Sequence, residues 1–100
     1  MEILRRTFPH EKGTDTETVD AGVNAEGAFT ITVTDSGPAA EAFLGDWDYE
    51  AGIRIDAADM TRLWPHLVRA LMTAEAPLNL EAIVALCDAA DVDPHRWSWT

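Results

Sequence analysis

Three carboxylates at alternate positions, Asp46, Asp48 and Glu50, are the residues whose spacing first suggests chemistry. The spacing equals that of the first three side-chain ligands in an EF-hand calcium loop. That loop also requires Gly at its sixth position and Glu at its twelfth, where this chain has Ala51 and Ala57. An extended strand would place the carboxylates in a line instead of around an ion. We therefore predict no calcium site.

The other side chains that bind metals or act as nucleophiles are scattered. The three His residues and Cys87 lack the short intervals that join ligands in zinc sites. Ser36 and Ser98 lie in no nucleophile motif, and no glycine-rich phosphate loop precedes a helix. Acids are so numerous that no pair is singled out for acid–base catalysis. These features predict a protein that is not an enzyme and has no metal or cofactor.

The strongest functional signal is the concentration of acids in the middle of the chain. Residues 13–53 contain nine Asp or Glu and no Lys or Arg, in a chain of 100 residues with a net charge of −11. The nine are Asp15, Glu17, Asp20, Glu26, Asp35, Glu41, Asp46, Asp48 and Glu50. Concentrated like charge opposes folding by self-repulsion and attracts cationic partners. The alternative is a GC-rich or salt-adapted genome, since the chain has six Arg and one Lys.

Length and composition predict one domain over residues 1–100. An apolar fraction of 47% argues against disorder despite the charge. The single Cys87 cannot form an internal disulfide, which is compatible with a reducing cytoplasm. No stretch approaches the ~18 apolar residues of a membrane span. Direct binding to nucleic acid needs clustered Lys and Arg that neutralise phosphates, so we expect none. Together these features predict a cytoplasmic protein that does not bind membranes.

Alternating apolar residues predict the first strands. Residues 3–8 alternate weakly, as in an edge strand, and residues 10–15 are predicted as a loop. Residues 17–23 and 29–33 alternate on either side of the turn residues 24–27, which predicts a β-hairpin.

The clearest alternation runs through residues 46–56 and predicts a strand buried on one side. Its apolar face consists of Trp47, Tyr49, Ala51, Ile53 and Ile55. The opposite face would present Asp46, Asp48 and Glu50 about 6.6 Å apart. We expect Asp20, on the hairpin, and Asp35, beyond its Thr-bearing face, to extend this row if the strands are neighbours.

Two helices are predicted after these strands. Asp56 is a suitable N-cap for the first, in which apolar residues recur at helical spacing as far as Met72. Pro65 lies inside this run and should kink the helix or restart it. Asn79 is predicted to cap a second helix that ends near Asp91.

Four Trp residues supply large anchors for a core or an interface. Trp47 and Trp64 fall on apolar faces and are predicted to be core residues. Trp97 and Trp99 belong to a tail too short for a helix, and they would share one side of an extended tail. With Arg96 they are residue types enriched in binding hot spots. The tail is therefore either a second partner-binding site or a cover that closes the open side of the core.

The order of the elements predicts an α+β fold, because the strands come first and the helices follow. We expect an antiparallel sheet of three or four strands with two C-terminal helices packed on one face. The other, acidic face would be the working surface. A spaced row of carboxylates imitates the charge pattern of a nucleic-acid backbone and can occupy a cationic groove.

Three segments resemble small acidic bacterial proteins that have no assigned activity: Leu44–Glu50, the helix start Ile55–Met60, and Trp97-Ser98-Trp99. In size and charge the chain is also similar to immunity proteins that neutralise nuclease toxins, and to the anti-CRISPR proteins of phages. This resemblance implies a non-catalytic inhibitor whose partner is a basic nuclease or nucleic-acid-binding effector. The alternative is a small interaction domain that binds through its Trp-rich end, with acidity serving only solubility or salt adaptation.

Overall fold

Five antiparallel strands form a meander in a computed structural model that describes residues 1–38 and 48–99. The strands are β1 (Glu2–His10), β2 (Gly13–Val23), β3 (Phe29–Ser36), β4 (Asp48–Ile55) and β5 (His95–Trp99). Two helices, α1 (Ala57–Thr73) and α2 (Leu80–Ala89), lie between β4 and β5 in the chain. The predicted α+β class is confirmed. The predicted number of strands was too small, because β5 joins the sheet beside β4.

The predicted hairpin of β2 and β3 is confirmed, and its turn is closed by Asn24. The Asn24 side-chain oxygen accepts hydrogen bonds from the backbone N–H groups of Glu26 (2.9 Å) and Ala28 (3.0 Å). Gly27 has φ +82°, a conformation that costs Gly little because it has no Cβ. The resulting register pairs Val19 with Val33, so the apolar residues of both strands lie on the same face.

The first strand is also an edge strand, as predicted, but residues 10–15 are not a loop. His10 pairs with Gly13 across a tight turn, and the N–H of Lys12 donates to His10 Nδ1 at 3.1 Å. Both strands are therefore longer than their alternation indicated. A register shift between Glu2 and Leu4 marks an irregularity near the start of β1.

The helices pack on one face of the sheet, which we call the helix-bearing face. Ile31, Ile53 and Ile55 of the sheet form a buried cluster with side chains of the helices and of the chain that follows them. Those partners are Met60, Leu63, Cys87, Ala90 and Val92. The opposite side of the sheet, which we call the open face, carries Thr16, Thr18, Thr30, Thr32 and Thr34 across β2 and β3.

The helix ends agree with the sequence in position and differ in one detail. Asn79 Oδ1 accepts a hydrogen bond from the N–H of Ala82 at 2.8 Å and caps α2 as predicted. Asp56 occupies the N-cap position of α1, but its side chain makes no capping hydrogen bond. Its carboxylate lies 3.7 Å from Nε of Arg54. The first helix runs through Pro65 without restarting.

Trp64 was predicted to be a core residue, and this was wrong: it is 52% exposed. The apolar stripe of α1 is buried at its N-terminal end, at Met60 and Leu63. Farther along, Leu71 and Met72 are about four-fifths exposed, at 83% and 80%. Leu71 follows Met60 by three turns and lies on the same side of the helix. Position along the helix axis therefore decides which apolar side chains of α1 are buried. The C-terminal half of α1 extends beyond the elements that bury its N-terminal half.

No helix in the described part of the chain is long and apolar enough to cross a membrane.

Candidate functional site

The open face brings together most of the residues that the sequence indicated for partner binding. In β4, Asp48, Glu50, Gly52 and Arg54 alternate on this face. The register places the backbone of Trp99 opposite Glu50, and Trp97 opposite Gly52. The predicted acidic row and the predicted Trp-rich tail are therefore one surface. Asp46 and Trp47 lie outside the described residues.

Trp97 is held on this surface by two contacts. Its indole Nε1–H donates to Glu50 Oε1 at 3.3 Å. Its ring covers Gly52, where a Cβ atom would overlap ring carbons Cζ2 and Cε2 and lie 2.7 Å from the backbone oxygen of Ile31. The absence of a side chain at Gly52 thus creates the space that the indole fills. Trp97 is half-buried, so part of its ring faces solvent on the acidic side of the sheet.

Trp97 does not close the hydrophobic core, which was one of the two roles predicted for the tail. The core lies on the helix-bearing face, and Trp97 lies on the open face. Arg96 was grouped with Trp97 as a hot-spot residue, but the alternation of β5 separates them. Its guanidinium pairs with Glu81 of α2 at 2.6 Å. For Trp99 the structure gives the backbone position only, in β5.

Asp48 and Glu50 take part in no ion pair among the residues that the structure describes. Asp48 is exposed and Glu50 is half-buried. The bond from Trp97 uses one of the roughly four acceptor positions of the Glu50 carboxylate. Both groups can therefore accept hydrogen bonds from Lys or Arg of a partner without breaking an internal ion pair.

Asp20 lies on the open face, as predicted, but it belongs to a different electrostatic group. It is opposite Glu2, and Arg5 donates to Glu2 Oε1 at 2.7 Å. This hydrogen bond raises the pKa of Arg5, with a smaller contribution from the charge of Asp20. Asp20 is two strands and two residues away from Glu50, a Cα separation of about 12 Å. At physiological salt, this distance exceeds the Debye length of about 8 Å.

Asp35 was expected to extend the acidic row, and the structure places it on the other face. It pairs with Glu17 and Tyr49 in the sheet, so it continues the alternation of Ile31 and Val33 toward the helix-bearing face. Burial raises the pKa of Asp35, and the nearby carboxylates of Glu17 and Asp15 raise it further. Asp35 is therefore part of a repulsive acid cluster and cannot contact a partner docked on the open face.

Replacing Asp35 with Asn should stabilise the protein at pH 7. The pKa of Asp35 is higher in the folded state than in the unfolded state, so the fold disfavours the ionised carboxylate. The contribution of Asp35 to the free energy of unfolding therefore falls as pH rises from the unfolded-state pKa through the folded-state pKa. Asn removes the repulsion. Because Asp35 is partly exposed, screening limits the gain to about 0.5 kcal/mol.

Thermal unfolding of the Asp35→Asn variant from pH 3 to pH 7 measures this effect. The gain over wild type should disappear at the acid end, where Asp35 is protonated in both states. Asp93→Asn, which removes one exposed acid between α2 and β5, is the control for net charge. An equal gain from Asp93→Asn would mean that total charge, and not the local cluster, is responsible.

The single cysteine lies in the core, on the helix-bearing side of the sheet. Cys87 is fully buried in the core, and burial raises the pKa of its thiol. No group of three or more His, Cys, Asp or Glu side chains within the described ranges could hold a metal ion.

Sequence reasoning missed Gly52 as the residue that seats Trp97. The sequence shows that Gly52 alternates with Asp48 and Glu50, but the role of Gly52 depends on the pairing of β4 with β5, which are separated by both helices.

The candidate site consists of Asp48, Glu50 and Trp97, which we call the acidic–aromatic cluster. The chain matches no protein-family model, no curated protein and no solved structure.

Proposed function

We propose that this protein is a non-catalytic inhibitor that docks its open face onto the cationic surface of a nucleic-acid-handling protein. The observation that carries the proposal is the placement of Asp48 and Glu50, without ion-pair partners among the described residues, beside a Trp ring on the open face. The proposed setting is the cytoplasm, and the proposed partner is a nuclease or another effector with a Lys/Arg-rich groove.

The chemistry of the cluster suits Lys and Arg. Carboxylates give charge-assisted hydrogen bonds, and they bind a guanidinium in a bidentate manner. The solvent-facing part of the Trp97 ring offers a surface for cation–π contact. A net charge of −11 speeds the approach of a basic partner and slows that of nucleic acid. The partner's groove must itself be cationic to hold phosphates, so the inhibitor would occupy the site that its target keeps for nucleic acid.

Other residues of the open face limit how much of it can imitate the charge pattern of a nucleic-acid backbone. Arg54 and His95 are opposite each other in the register of β4 and β5, at the end of these strands remote from Asp48. The Thr side chains of β3, which lie between β4 and Asp20, are neutral. The proposed contact is therefore a compact site at the start of β4, not a charge ladder along the whole sheet. Asp20 would add to long-range attraction more than to the contact itself.

Affinity capture at two salt concentrations tests the function. The immobilised protein should retain a basic, nucleic-acid-handling protein from bacterial or phage-challenged lysate at 50 mM salt and release most of it at 500 mM. The purified partner should lose binding to its nucleic acid when this protein is added. Capture that is indifferent to salt, or a partner whose nucleic-acid binding is unchanged, would contradict the proposal. Salt-indifferent capture that is lost in Trp97→Ala would favour the alternative, an accessory domain that binds through its Trp-rich end.

A further inference from the structure

The helix-bearing face contains a groove that the proposed function does not use. It lies between the sheet and the helices and has a volume of about 510 Å³, within the range of roughly 300–1,000 Å³ for sites of small molecules. Val19 and Val33 line it from the sheet, and Leu67, Leu80 and Ile83 line it from the helices. These side chains are only partly buried, so the groove leaves apolar surface in contact with water.

The polar residues of the groove determine the charge of a suitable occupant. Arg6 and Glu17 line it where their side chains are 48% and 29% exposed, and their 3.8 Å separation makes a loose ion pair. Glu81 lines it as well and is paired with Arg96. Asp35 lies directly beside Glu17 in the sheet and adds a negative charge that no cation of the described ranges pairs with. An anionic head group would meet this acid pair and the net charge of −11, whereas a cationic one would be attracted by both.

We propose that the groove binds a small molecule with an apolar body and a positively charged head group. The body packs against Val19, Val33 and Leu80, and the head group lies at Glu17. Removing the apolar walls from water supplies most of the affinity, at about 25 cal/mol per Å² of buried apolar surface. The Glu17 carboxylate gives the site its preference for a positively charged head group. This site is on the opposite side of the sheet from the acidic–aromatic cluster, so either proposal can fail without the other.

Three probes of the same shape and different charge test the selection: 4-phenylbutylamine, 4-phenylbutanol and 4-phenylbutyrate. Titration calorimetry with the full chain should give the tightest binding for the amine and the weakest for the carboxylate. The expected amine-to-carboxylate ratio is roughly tenfold or more, since charge-assisted hydrogen bonds are the stronger kind. Amide and methyl NMR shifts induced by the amine should map to Val19, Val33 and Leu80. Shifts elsewhere, or a carboxylate that binds as tightly as the amine, would overturn the proposal.

Two variants separate the apolar and the charged contributions. Glu17→Gln should remove most of the preference for the amine and leave phenylbutanol binding unchanged. Asp20→Asn, which removes an acid from the open face of the same strand, should leave the preference intact. Val33→Phe should fill the groove and weaken all three probes at least fivefold. If Val33→Phe does not fold, as judged by circular dichroism, Ala51→Leu applies the same test, because Ala51 also lines the groove. Undiminished binding to a folded groove-filling variant would refute the site.

Discussion

Replacing Gly52 with Ala is expected to lower the free energy of unfolding by about 2–3 kcal/mol, as overpacking of a filled site does. The added methyl group would overlap the Trp97 ring and would lie 2.7 Å from the Ile31 backbone oxygen. The ring and the backbone of β3 would both have to move, and the β4–β5 pairing would weaken. For a domain of about 100 residues, the melting temperature should fall by roughly 10–20 °C. Thermal and urea unfolding followed by circular dichroism measure the change.

Gly22 provides the matched control, because it is also a strand Gly on the same face. The nearest heavy atom to a Cβ there would be the Met1 amino nitrogen, at 4.0 Å. Ala at this position should therefore be neutral or stabilising by up to ~1 kcal/mol, since Gly loses more backbone entropy on folding than Ala does. Gly52→Ala is therefore expected to destabilise the protein, whereas Gly22→Ala is not. A Gly52→Ala variant as stable as Gly22→Ala would show that the indole does not lie on Gly52.

A double-mutant cycle with Trp97→Ala locates the cause of the destabilisation. Removing the indole eliminates the ring overlap and leaves only the approach to Ile31. Gly52→Ala should then cost at least ~1 kcal/mol less in the Trp97→Ala background than in wild type. Strict additivity of the two substitutions would mean that the destabilisation comes from the backbone of β3 alone.

The parts of the fold that sequence predicted are those determined by short-range patterns. The hairpin of β2 and β3 depends on alternation and on the turn residues 24–27, all within about twenty residues. The strand β4 and the cap of α2 at Asn79 have equally local signals. The place of β5 in the sheet has none, because its partner β4 lies about forty residues earlier in the chain. Only the possibility that the tail is extended could be predicted.

Two wrong predictions, the face on which Asp35 lies and the burial of Trp64, have different physical origins. Asp35 continues the alternation of Ile31 and Val33, so its inward direction was readable from the sequence once β3 was extended to Ser36. Strand ends are where such patterns are least certain. The exposure of Trp64 could not be predicted from the sequence. Helical periodicity gives the angle of a side chain around the helix axis, but it does not show where the neighbouring elements end. Burial beyond Leu63 depends on tertiary packing alone.

The concentration of acids in residues 13–53 also acquires a different meaning in three dimensions. The strands distribute these acids over both faces, with Asp35 and Glu17 on the helix-bearing face and Asp48 and Glu50 on the open face. A single charge excess in the sequence is thus divided between two groups of acids with different neighbours. The first adjoins an apolar groove and the second an indole ring. Variants that change one site at a time can therefore separate their roles.

Reversing the charge of Asp48 and Glu50 together should reduce affinity for the captured partner at least about 100-fold, or ~2.8 kcal/mol. Both carboxylates lack internal cationic partners among the described residues, so Lys at these positions would replace attraction by repulsion. Asp48 is exposed and Glu50 half-buried, and neither substitution removes an ion pair from the fold. The unfolding temperature should fall only modestly, because Glu50→Lys removes the hydrogen bond that Glu50 accepts from the Trp97 indole. Binding to the purified partner, measured across a salt series, should show a weaker salt dependence for the double variant.

The double variant also changes the net charge by four units, so it needs a control with the same change elsewhere. Glu75→Lys with Asp88→Lys provides it, because both residues are exposed and lie outside the sheet, in the linker after α1 and in α2. If affinity depends on the acidic–aromatic cluster, this control should lose much less affinity than the Asp48/Glu50 variant, and the loss should appear mainly in the association rate. Equal losses from the two variants would show that the partner responds to total charge, and the open face would then not be a docking site.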